Sequence, residues 1–337
     1  MEGIKLTRRP RLKNPYFIAA WPGMGEVAFK AASCLVEKLG ASEFAVLEPE
    51  DFFYLTGSNI DNGVLSLPGL PEGKFYFWKN PATKRGGSAT NYGGKVEAYD
   101  LIIFISNAQP DLAKAEDYSR KIIGLAKSYG VKTAISFAAL PQPIEHGHAP
   151  AVWFVSTADD LNAHLKKFNL NQLLQGQISG MNGLFLGAAK KEGINGFCLL
   201  GEVPLYTIQI ENPRAAQAVL ESLGRILGIR IDSSSLSAQA QVIDNEIDKL
   251  LDYLKLGGPG QPAPIGEEEI EKIKKSLSQL TKLPISVKEK IEKLFTRAAD
   301  DIAKAGELKA ELDKWNAYNE YEDRFLDLFK KGKEKGN

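Results

Sequence analysis

The chain has few cysteines, no excess charge of either sign and no long apolar run, and each absence excludes a class of protein. Only Cys34 and Cys198 occur among 337 residues, too few for a disulfide framework or a cysteine zinc site. Lysine plus arginine total 42, as do aspartate plus glutamate, so no general attraction to nucleic acid or to anionic membranes is expected. No apolar run approaches the roughly 20 residues that span a bilayer.

The same features predict a cytoplasmic protein. Cys34 falls in a helical pattern and Cys198 in an apolar run, so both are expected to be small buried residues in a reducing compartment. The opening residues, MEGIKLTRRPRLKNP, are basic but are followed by no apolar core, which predicts that no signal peptide is present. We expect neither a nucleic-acid partner nor a membrane partner.

Motifs of covalent, phosphate and metal chemistry are also missing. The pattern GxxxxGK[ST] does not occur, which excludes a P-loop, and no G-x-S-x-G elbow or ordered nucleophile–base set is present. His146 and His148 could face the same way in an extended loop, but Glu145 is the only nearby third ligand, so no metal site is predicted. We predict no catalytic residue and no cofactor, and we favour a protein that is not an enzyme.

Strand-like and helix-like segments alternate over the first three-quarters of the chain. This alternation predicts an α/β fold of three layers, α/β/α, with a mostly parallel sheet covered on both faces. Turn signals at 61–63 and 71–73 interrupt it over residues 56–78, where we expect a meander or hairpin insertion instead of a helix. Strands are predicted over 16–20, 44–48, 64–67, 75–78, 101–106, 132–137, 152–155 and 196–200, and helices over 25–39, 112–129, 184–192, 213–227 and 236–256.

Composition changes after residue 256. Residues 257–264, GGPGQPAP, form a linker by composition, and the chain beyond it is rich in charges of both signs. Apolar residues recur there at helical spacing, for example Ile270, Ile273 and Leu277. We therefore predict a core domain over 1–256, a Gly/Pro linker over 257–264 and a charged, amphipathic helical tail over 265–337.

Residues 23–28, GMGEVA, fit a variant of the dinucleotide-binding fingerprint, with Glu48 at the distance of a ribose-binding acid. Three features oppose that interpretation. Trp21 and Pro22 stiffen the turn, Glu26 in the first helical turn would repel a phosphate, and the second predicted strand is not followed by a helix and a third parallel strand. We favour a tight strand–helix turn that packs the helix closely on the sheet.

Polar residues follow several predicted strands, where the loops of an α/β sheet bind ligands. Asn107 and Gln109 follow the strand at 101–106, with Asp111 as a candidate helix N-cap, and Glu202 follows the strand at 196–200. Glu202 is either a general base or hydroxyl acceptor, or a solvated turn carboxylate. The candidate ligand-binding residues are Gly23, Gly25, Glu26, Asn107, Gln109, His146, Asn182, Glu202 and Tyr206.

Five segments, taken in order, resemble the proteasome assembly chaperone family, second-chaperone type, whose archaeal and bacterial members were long filed as a domain of unknown function. The segments are WPGMG at 21–25, NAQP at 107–110, His146 with Pro150, GMNG at 180–183 and LLGEVPLY at 199–206, and the resemblance covers about residues 14–255. It implies a three-layer fold similar to nucleoside phosphorylases, self-association and, in organisms with proteasomes, a role in assembling the core particle. The family has no established catalytic residues, so none is assigned.

The chain departs from the family pattern at two places. An arginine usually stands two residues after the family histidine, where this chain has His148. Family members that dock on the proteasome end in a hydrophobic–tyrosine–any-residue tail, whereas this sequence ends Lys335-Gly336-Asn337, so docking through such a tail is not expected.

Two functional hypotheses follow. The first is a non-enzymatic scaffold or assembly-chaperone-like protein that self-associates and acts through protein–protein contacts, with a proteasome or another protein assembly as partner. The second is a small-molecule, nucleoside-like binding protein or enzyme that uses the loops at the carboxyl ends of the strands. The second requires the candidate polar residues to converge on one concave pocket.

Overall fold

The computed structural model describes residues 3–55, 57–81, 89–91, 94–96, 99–256, 285–301, 304–314 and 317–334. These residues fall into two compact units, one of Met1–Pro204 with Ile208–Asn245 and the other of Leu205–Thr207 with Glu246–Asn337. The predicted linker at 257–264 lies outside the described residues. The predicted division of the chain into core, linker and tail stays a prediction.

The first unit is built on one nine-stranded sheet, accompanied by two small two-stranded hairpins. Most strands of the large sheet carry runs of apolar residues, because they are buried on both faces. In chain order the strands are β1 (Ile4–Leu6), β2 (Tyr16–Ala20), β3 (Ser42–Leu47), β4 (Asn59–Asp61), β5 (Val64–Ser66), β6 (Gly73–Trp78), β7 (Ala89–Asn91), β8 (Gly94–Val96), β9 (Leu101–Ser106), β10 (Thr133–Gln142), β11 (Val152–Ser156), β12 (Asn171–Gln172) and β13 (Asn195–Pro204).

The strand order of the large sheet is β1-β3-β6-β9-β2-β10-β13-β11-β12. The four central strands, β9, β2, β10 and β13, run parallel, which confirms the α/β prediction at the centre of the sheet. The flanks are antiparallel: β6 runs against β9 and β3, and β11 runs against β13. The sheet as a whole is therefore mixed.

Helices cover both faces of this sheet. Along β2, Phe17 and Ala19 belong to one buried cluster, and Ile18 and Ala20 belong to the other, as the two-residue alternation of a strand requires. The helices at 115–128 and 181–191 contribute to the first cluster, and those at 27–39 and 213–227, with Leu165 and Leu236, contribute to the second, which confirms the three-layer fold. In chain order the helices are α1 (Val27–Leu39), α2 (Ala115–Ser128), α3 (Asp159–Leu165), α4 (Met181–Lys191), α5 (Pro213–Leu227), α6 (Ser234–Leu256), α7 (Ile285–Asp300), α8 (Ala305–Lys314) and α9 (Tyr318–Glu334).

Helix α5 was predicted accurately because capping residues mark both of its ends. Asn212 caps it, with its side-chain oxygen accepting a hydrogen bond of 2.8 Å from the Ala215 amide, and proline occupies the first turn. Gly228 ends it in the left-handed conformation at φ 63°. The predicted range of 213–227 is confirmed without change, because both ends carry residues that can terminate a helix.

Strands β10 and β13 are longer than the sequence predicted. Their backbones pair in parallel from Thr133 with Asn195 to Gln142 with Pro204. The predicted strands ended at residues 137 and 200, but the hydrogen-bonded ladder continues through Gly201 and Glu202. Sequence analysis also missed the short elements β1, β4, β7, β8, α3 and β12, which are too short to produce a clear periodicity.

The predicted insertion after β3 is confirmed as a hairpin. Strands β4 and β5 pair only with each other among the described residues, and all six of their residues are exposed. We call residues 54–71 the arm; Thr56 lies outside the described part of the chain. Phe52 and Phe53 precede the arm and are buried against the ring of Tyr118, so the arm leaves the core at a rigid aromatic contact.

The second unit contains helices α7, α8 and α9, which confirms the predicted C-terminal helices. They share a core of their own around Leu294, Leu308 and Leu312. Arg324 on α9 donates two hydrogen bonds of 2.6 Å to the carboxylate of Glu292 on α7. Its guanidinium also lies 4.2 Å from the centre of the Phe295 ring. No described helix is both long and apolar enough to span a membrane.

The close packing of β13 against β10 and α4 can be tested by a substitution at Gly196. A methyl group at Gly196 would lie 2.3 Å from the carbonyl oxygen of Ala134 and 2.8 Å from a methyl carbon of Leu186. We expect Gly196→Ala to lower the free energy of unfolding by about 1–3 kcal/mol, since the backbone must move to admit it. Urea denaturation would measure the change.

Gly187→Ala is the matched control, because nothing lies within 4 Å of a methyl group at this position on α4. The control should be neutral or should stabilise by up to about 1 kcal/mol, the helix propensity of alanine over glycine. Equal effects of the two substitutions would contradict the packing at Gly196.

Candidate functional site

The WPGMG segment forms a tight turn between β2 and α1. Gly25 and Glu26 both adopt left-handed backbone angles, with φ 61° and φ 53°, so the chain turns sharply before α1 begins at Val27. The Gly25 amide donates to the Ile208 carbonyl at 2.9 Å, and the Asn212 amide donates to the Gly25 carbonyl at 2.7 Å. Because the Gly25 amide is already bonded within the protein, it is not available to a phosphate. The turn is held by the segment that leads into α5.

Asn182 holds the first residue of this turn from the other side. Its side-chain oxygen accepts a hydrogen bond of 3.1 Å from the Trp21 amide, and its side-chain nitrogen donates one of 3.1 Å to the Trp21 carbonyl. Asn182 is buried, and it lies in the first turn of α4. Strand β2 ends at Ala20, so no described neighbouring strand bonds to the backbone of Trp21. The side-chain amide of Asn182 makes these two hydrogen bonds instead.

Gln109 bonds to the same turn and to the start of α4. Its side-chain nitrogen donates to the Pro22 carbonyl at 2.7 Å, and its oxygen accepts from the Met181 amide at 3.1 Å. Gly180 has φ 73°, and a methyl group there would lie 2.7 Å from the Gln109 side-chain oxygen. Three predicted segments, WPGMG, NAQP and GMNG, therefore meet at one place, and side-chain amides join them. We call this place the strand-end cluster.

Asn107 and Asp111 hold the base of the arm to the cluster. The Asn107 side chain accepts a hydrogen bond of 2.8 Å from the Glu72 amide, and the Asn107 amide donates to the Glu72 carbonyl at 3.1 Å. On the other side of the arm's base, the Asp111 amide donates to the Phe52 carbonyl at 3.0 Å. Asp111 also caps the turn before α2 by accepting from the Ala113 amide at 2.7 Å, as predicted.

Glu202 lies inside β13, not beyond the strand end where the sequence placed it. Its two carboxylate oxygens accept hydrogen bonds of 3.0 Å from the Ala151 amide and 2.8 Å from the Trp153 ring nitrogen. Its own amide donates to the Ala151 carbonyl at 3.1 Å. Glu202 therefore fixes the start of β11, and the apolar run that predicted the strand underestimated its length.

The remaining candidates lie elsewhere. His146 is in the turn after β10, partly buried, and Tyr206 is in the short 3₁₀ turn Leu205–Thr207 after β13. Within the described residues, no group of three or more His, Cys, Asp or Glu side chains is placed to hold a metal ion. Ligand binding by the nine candidates stays a prediction.

A buried aromatic cluster lies beneath the strand-end turn. The Trp21 ring is fully buried, with ring centres 5.6 Å from both Phe104 and Phe185 and 6.4 Å from Tyr118. Neither the Trp21 ring nitrogen nor the Tyr118 hydroxyl makes a well-aligned hydrogen bond. Burial raises the pKa of Tyr118 to about 12, against a smaller opposing effect of Ser106 and Trp21. Apolar contact therefore dominates this region.

Glu26 is a candidate residue whose carboxyl pKa is shifted by its surroundings. Burial raises the pKa of its carboxyl above the ordinary value, and nearby Glu211 adds to the rise, whereas Lys30 opposes it. Lys30 lies 2.6 Å from Glu211, so its charge is shared between the two carboxylates. A second carboxylate at the start of α1 makes this helix end a poor site for an anion.

Two cavities of the first unit are lined by residues other than the candidates. One, of about 430 Å³, is lined by residues of α2 together with Ile4, Asp51 and Phe52. Another, of about 830 Å³, is lined by Lys38, Gln217 and the chain from Arg230 to Gln241. None of the nine predicted residues lines either of these two cavities.

Sequence analysis identified the polar residues of the strand-end cluster but not the backbone groups to which they hydrogen-bond. Nothing in the sequence shows that the Asn182 amide reaches Trp21, because 161 residues separate them. The arm was located, yet its exposed apolar residues were not recognised as unusual. The available signal was its composition: residues 52–70 contain Asp61 as their only charged residue.

The sequence model of the PAC2 family matches residues 17–251. Among curated proteins, MJ1210 of Methanocaldococcus jannaschii is 26% identical over 271 residues, covering 78% of this chain and 93% of that protein.

Two solved structures from Pyrococcus furiosus are similar in fold. PbaB, described as an archaeal proteasome activator, is 28% identical with a TM-score of 0.60, covering 73% of this chain and 97% of that chain. PbaA, described as an archaeal homolog of proteasome-assembly chaperone, is 23% identical with a TM-score of 0.54, and the match covers 73% of this chain and 96% of that chain. The second likeness concerns the fold alone.

Asn182 should be the most costly of the cluster amides to remove. Asn182→Ala leaves the buried amide and carbonyl of Trp21 unbonded, and each such group costs about 1–3 kcal/mol. We expect the free energy of unfolding to fall by about 2–4 kcal/mol, as measured by urea denaturation. Gln109→Ala, at an exposed position, should cost only about 0.5–1.5 kcal/mol. The order of the two losses is the test, and a reversed order would refute the buried bonds.

The raised pKa of Glu26 predicts a pH dependence of stability. The folded protein holds this proton more tightly than the unfolded chain, so stability falls as pH rises from about 4.5 through the folded pKa. Glu26→Gln should remove that fall and stabilise the protein at pH 7 by up to about 0.5 kcal/mol, a small value because water screens the partly exposed carboxyl. Thermal unfolding of both proteins at pH 4 and pH 7 would measure it. Equal pH profiles would contradict the assignment.

Proposed function

Because the chain belongs to the PAC2 family, we propose that it is a non-enzymatic, assembly-chaperone-like protein that acts through protein–protein contacts and associates with copies of itself. The contact surface that we propose is the strand-end cluster, formed by the turns at 21–26 and 107–111 and the start of α4. The proposed location is the cytoplasm. The two cysteines are free and buried, as in a protein of a reducing compartment.

One observation carries the proposal: the polar side chains of the cluster are bonded to main-chain groups of neighbouring loops. The side chains of Asn107, Gln109 and Asn182 each hold the backbone of another segment. A catalytic or ligand site needs polar groups that remain free for the substrate, whereas a docking surface needs loops whose shape does not change. Loops fixed in advance lose less conformational entropy when a partner binds.

The partner that we propose is a proteasome or another multi-subunit assembly. The two Pyrococcus proteins are described as a proteasome activator and as a homolog of an assembly chaperone, and the first of them is 28% identical to this chain. The neutral net charge of the chain is compatible with contacts made by shape and apolar area instead of long-range attraction.

Gly23→Arg tests the strand-end cluster as the contact surface. Gly23 is exposed and its backbone is extended at φ −168°. A methyl group added at this position would make only an ordinary contact, 3.5 Å from Asn182, so arginine is accommodated without strain. We expect the wild-type chain to form an oligomer at micromolar concentration by light scattering. Gly23→Arg should raise the dissociation constant at least about tenfold, or 1.4 kcal/mol.

Gly124→Arg is the matched control, because Gly124 is exposed on α2 and a methyl group added there would have no neighbour within 4 Å. It should leave the oligomer unchanged. The same three proteins should then be added to core-particle subunits of the same organism during reconstitution, where the wild type is expected to speed assembly more than Gly23→Arg does. A strictly monomeric wild type with no effect on assembly would refute the proposal.

A further inference from the structure

A run of basic residues follows the first strand of the sheet. Arg8, Arg9, Arg11 and Lys13 lie between β1 and β2, in a stretch that is neither helix nor strand, and all four are exposed. No acidic side chain of the described residues lies within salt-bridge distance of these four. We call residues 8–13 the basic segment. Unpaired charges of one sign that are gathered on one surface create a positive potential there.

Backbone hydrogen bonds hold both ends of the basic segment. The Arg8 amide donates to the Phe44 carbonyl at 3.2 Å. At the other end, the Lys13 amide donates to one carboxylate oxygen of Asp100 at 2.7 Å, and the Asp100 amide donates to the Lys13 carbonyl at 3.0 Å. Pro10 fixes one further backbone angle between these ends. The charges therefore stand on a chain that loses little backbone entropy when a partner binds.

Two carboxylates near this edge of the sheet are already engaged. Asp100 is only 2% exposed, and its second oxygen accepts a hydrogen bond of 3.0 Å from the Asn80 amide. Glu192, which precedes β13, lies 2.9 Å from Lys127. Lys79, which is exposed and adjacent to Asn80, adds a fifth cation beside the basic segment. The edge therefore keeps its positive charge.

The sheet separates the basic segment from a third carboxylate. Burial raises the pKa of Tyr129, and the charge of Arg9 opposes this rise, so Arg9 lies near that ring. The rings of Tyr129 and Phe44 are in contact, with their centres 5.6 Å apart. Glu43 lies opposite Tyr76 in the register, and Tyr76 packs against the second buried cluster, whereas Phe44 belongs to the first. Glu43 therefore lies on the other face of the sheet from Arg9.

We infer that the basic segment binds a short acidic segment of another protein, in which aspartate or glutamate side chains are closely spaced. Guanidinium groups form paired hydrogen bonds with carboxylates, and three of the charges are arginines. Six extended residues span at most about 20 Å, so a partner segment of about six residues covers the basic segment.

This surface is separate from the strand-end cluster. Strand β2 runs from the basic segment toward Trp21, and its five residues cover about 17 Å. The inference therefore goes beyond the proposed function, because it adds a second contact surface at the opposite edge of the sheet and names the chemistry of its partner.

A long polyanion such as nucleic acid fits the basic segment less well. The whole chain has equal numbers of basic and acidic residues, and residues 1–13 contain five cations and one acid. Residues 14–337 therefore carry more acidic than basic side chains. A polymer that extends beyond the segment would be repelled by these acids, whereas a short acidic segment would not. An anionic membrane surface is disfavoured for the same reason.

Two labelled peptides test this inference with the full-length chain. One contains about six consecutive glutamates, the length that covers the segment, and the other has glutamine at the same positions. Fluorescence anisotropy should show the glutamate peptide bound at least about tenfold more tightly, and added salt should weaken its binding. The triple variant Arg8→Gln, Arg9→Gln, Arg11→Gln should lose at least about tenfold in affinity. Its thermal unfolding midpoint should equal that of the wild type, since the three side chains are exposed.

A second triple variant, Lys114→Gln, Arg120→Gln, Lys121→Gln, is the matched control. It removes the same three charges from α2 and the turn before it, and two of these residues, Arg120 and Lys121, are already paired with carboxylates. Its affinity for the glutamate peptide should stay within about twofold of the wild type. A loss equal to that of the arginine variant would overturn the inference, because net charge and not the basic segment would then explain the binding.

Equal binding of the two peptides, or equal binding by the wild type and the arginine variant, would also overturn the inference. Tighter binding of single-stranded DNA of about six nucleotides than of the glutamate peptide would assign the segment to nucleic acid instead. Conversion of an oligomer to monomers by the arginine variant would show that the segment joins copies of this chain and not a different protein. If the glutamate peptide fails but Gly23→Arg still disrupts an oligomer, this inference falls and the proposed function stands.

Discussion

The paired hydrogen bonds between Asn182 and the backbone of Trp21 are the constraint on which the strand-end cluster depends. They form where β2 ends and its neighbours can no longer satisfy the main chain. Once Trp21 is held, its ring fills the space among Phe104 and Phe185. Pro22 is then placed to accept from Gln109, and Gln109 in turn fixes the Met181 amide at the start of α4.

This use of polar residues separates two kinds of loop that look alike in sequence. Amides at the carboxyl ends of parallel strands commonly bind substrates, and here they bind other loops of the same chain. Asn107 extends the arrangement by holding the base of the arm. The result is a rigid surface beside an anchored, apolar hairpin. The polar groups of the cluster serve contacts within the chain, and the exposed apolar side chains lie on the arm.

Some of this structure could be predicted because local residues specify it. Asn212, Pro213 and Gly228 carry the signals that start and end α5, and the prediction of that helix is confirmed. Other parts could not be predicted from local residues. The apolar run at 196–200 ends before Glu202, yet the strand continues through it, because β10 and β11 offer partners that the local sequence does not reveal. The direction of β6 likewise depends on its neighbours β3 and β9.

By itself the sequence determined the layers, the central parallel strands and the family, because apolar periodicity and turn residues act over a few positions. It also determined which polar residues stand near strand ends. Only the tertiary structure decided what those residues bond to and which apolar residues stay exposed on the arm. Hydrogen-bond partners and burial depend on segments distant in the chain, and folding brings those segments together.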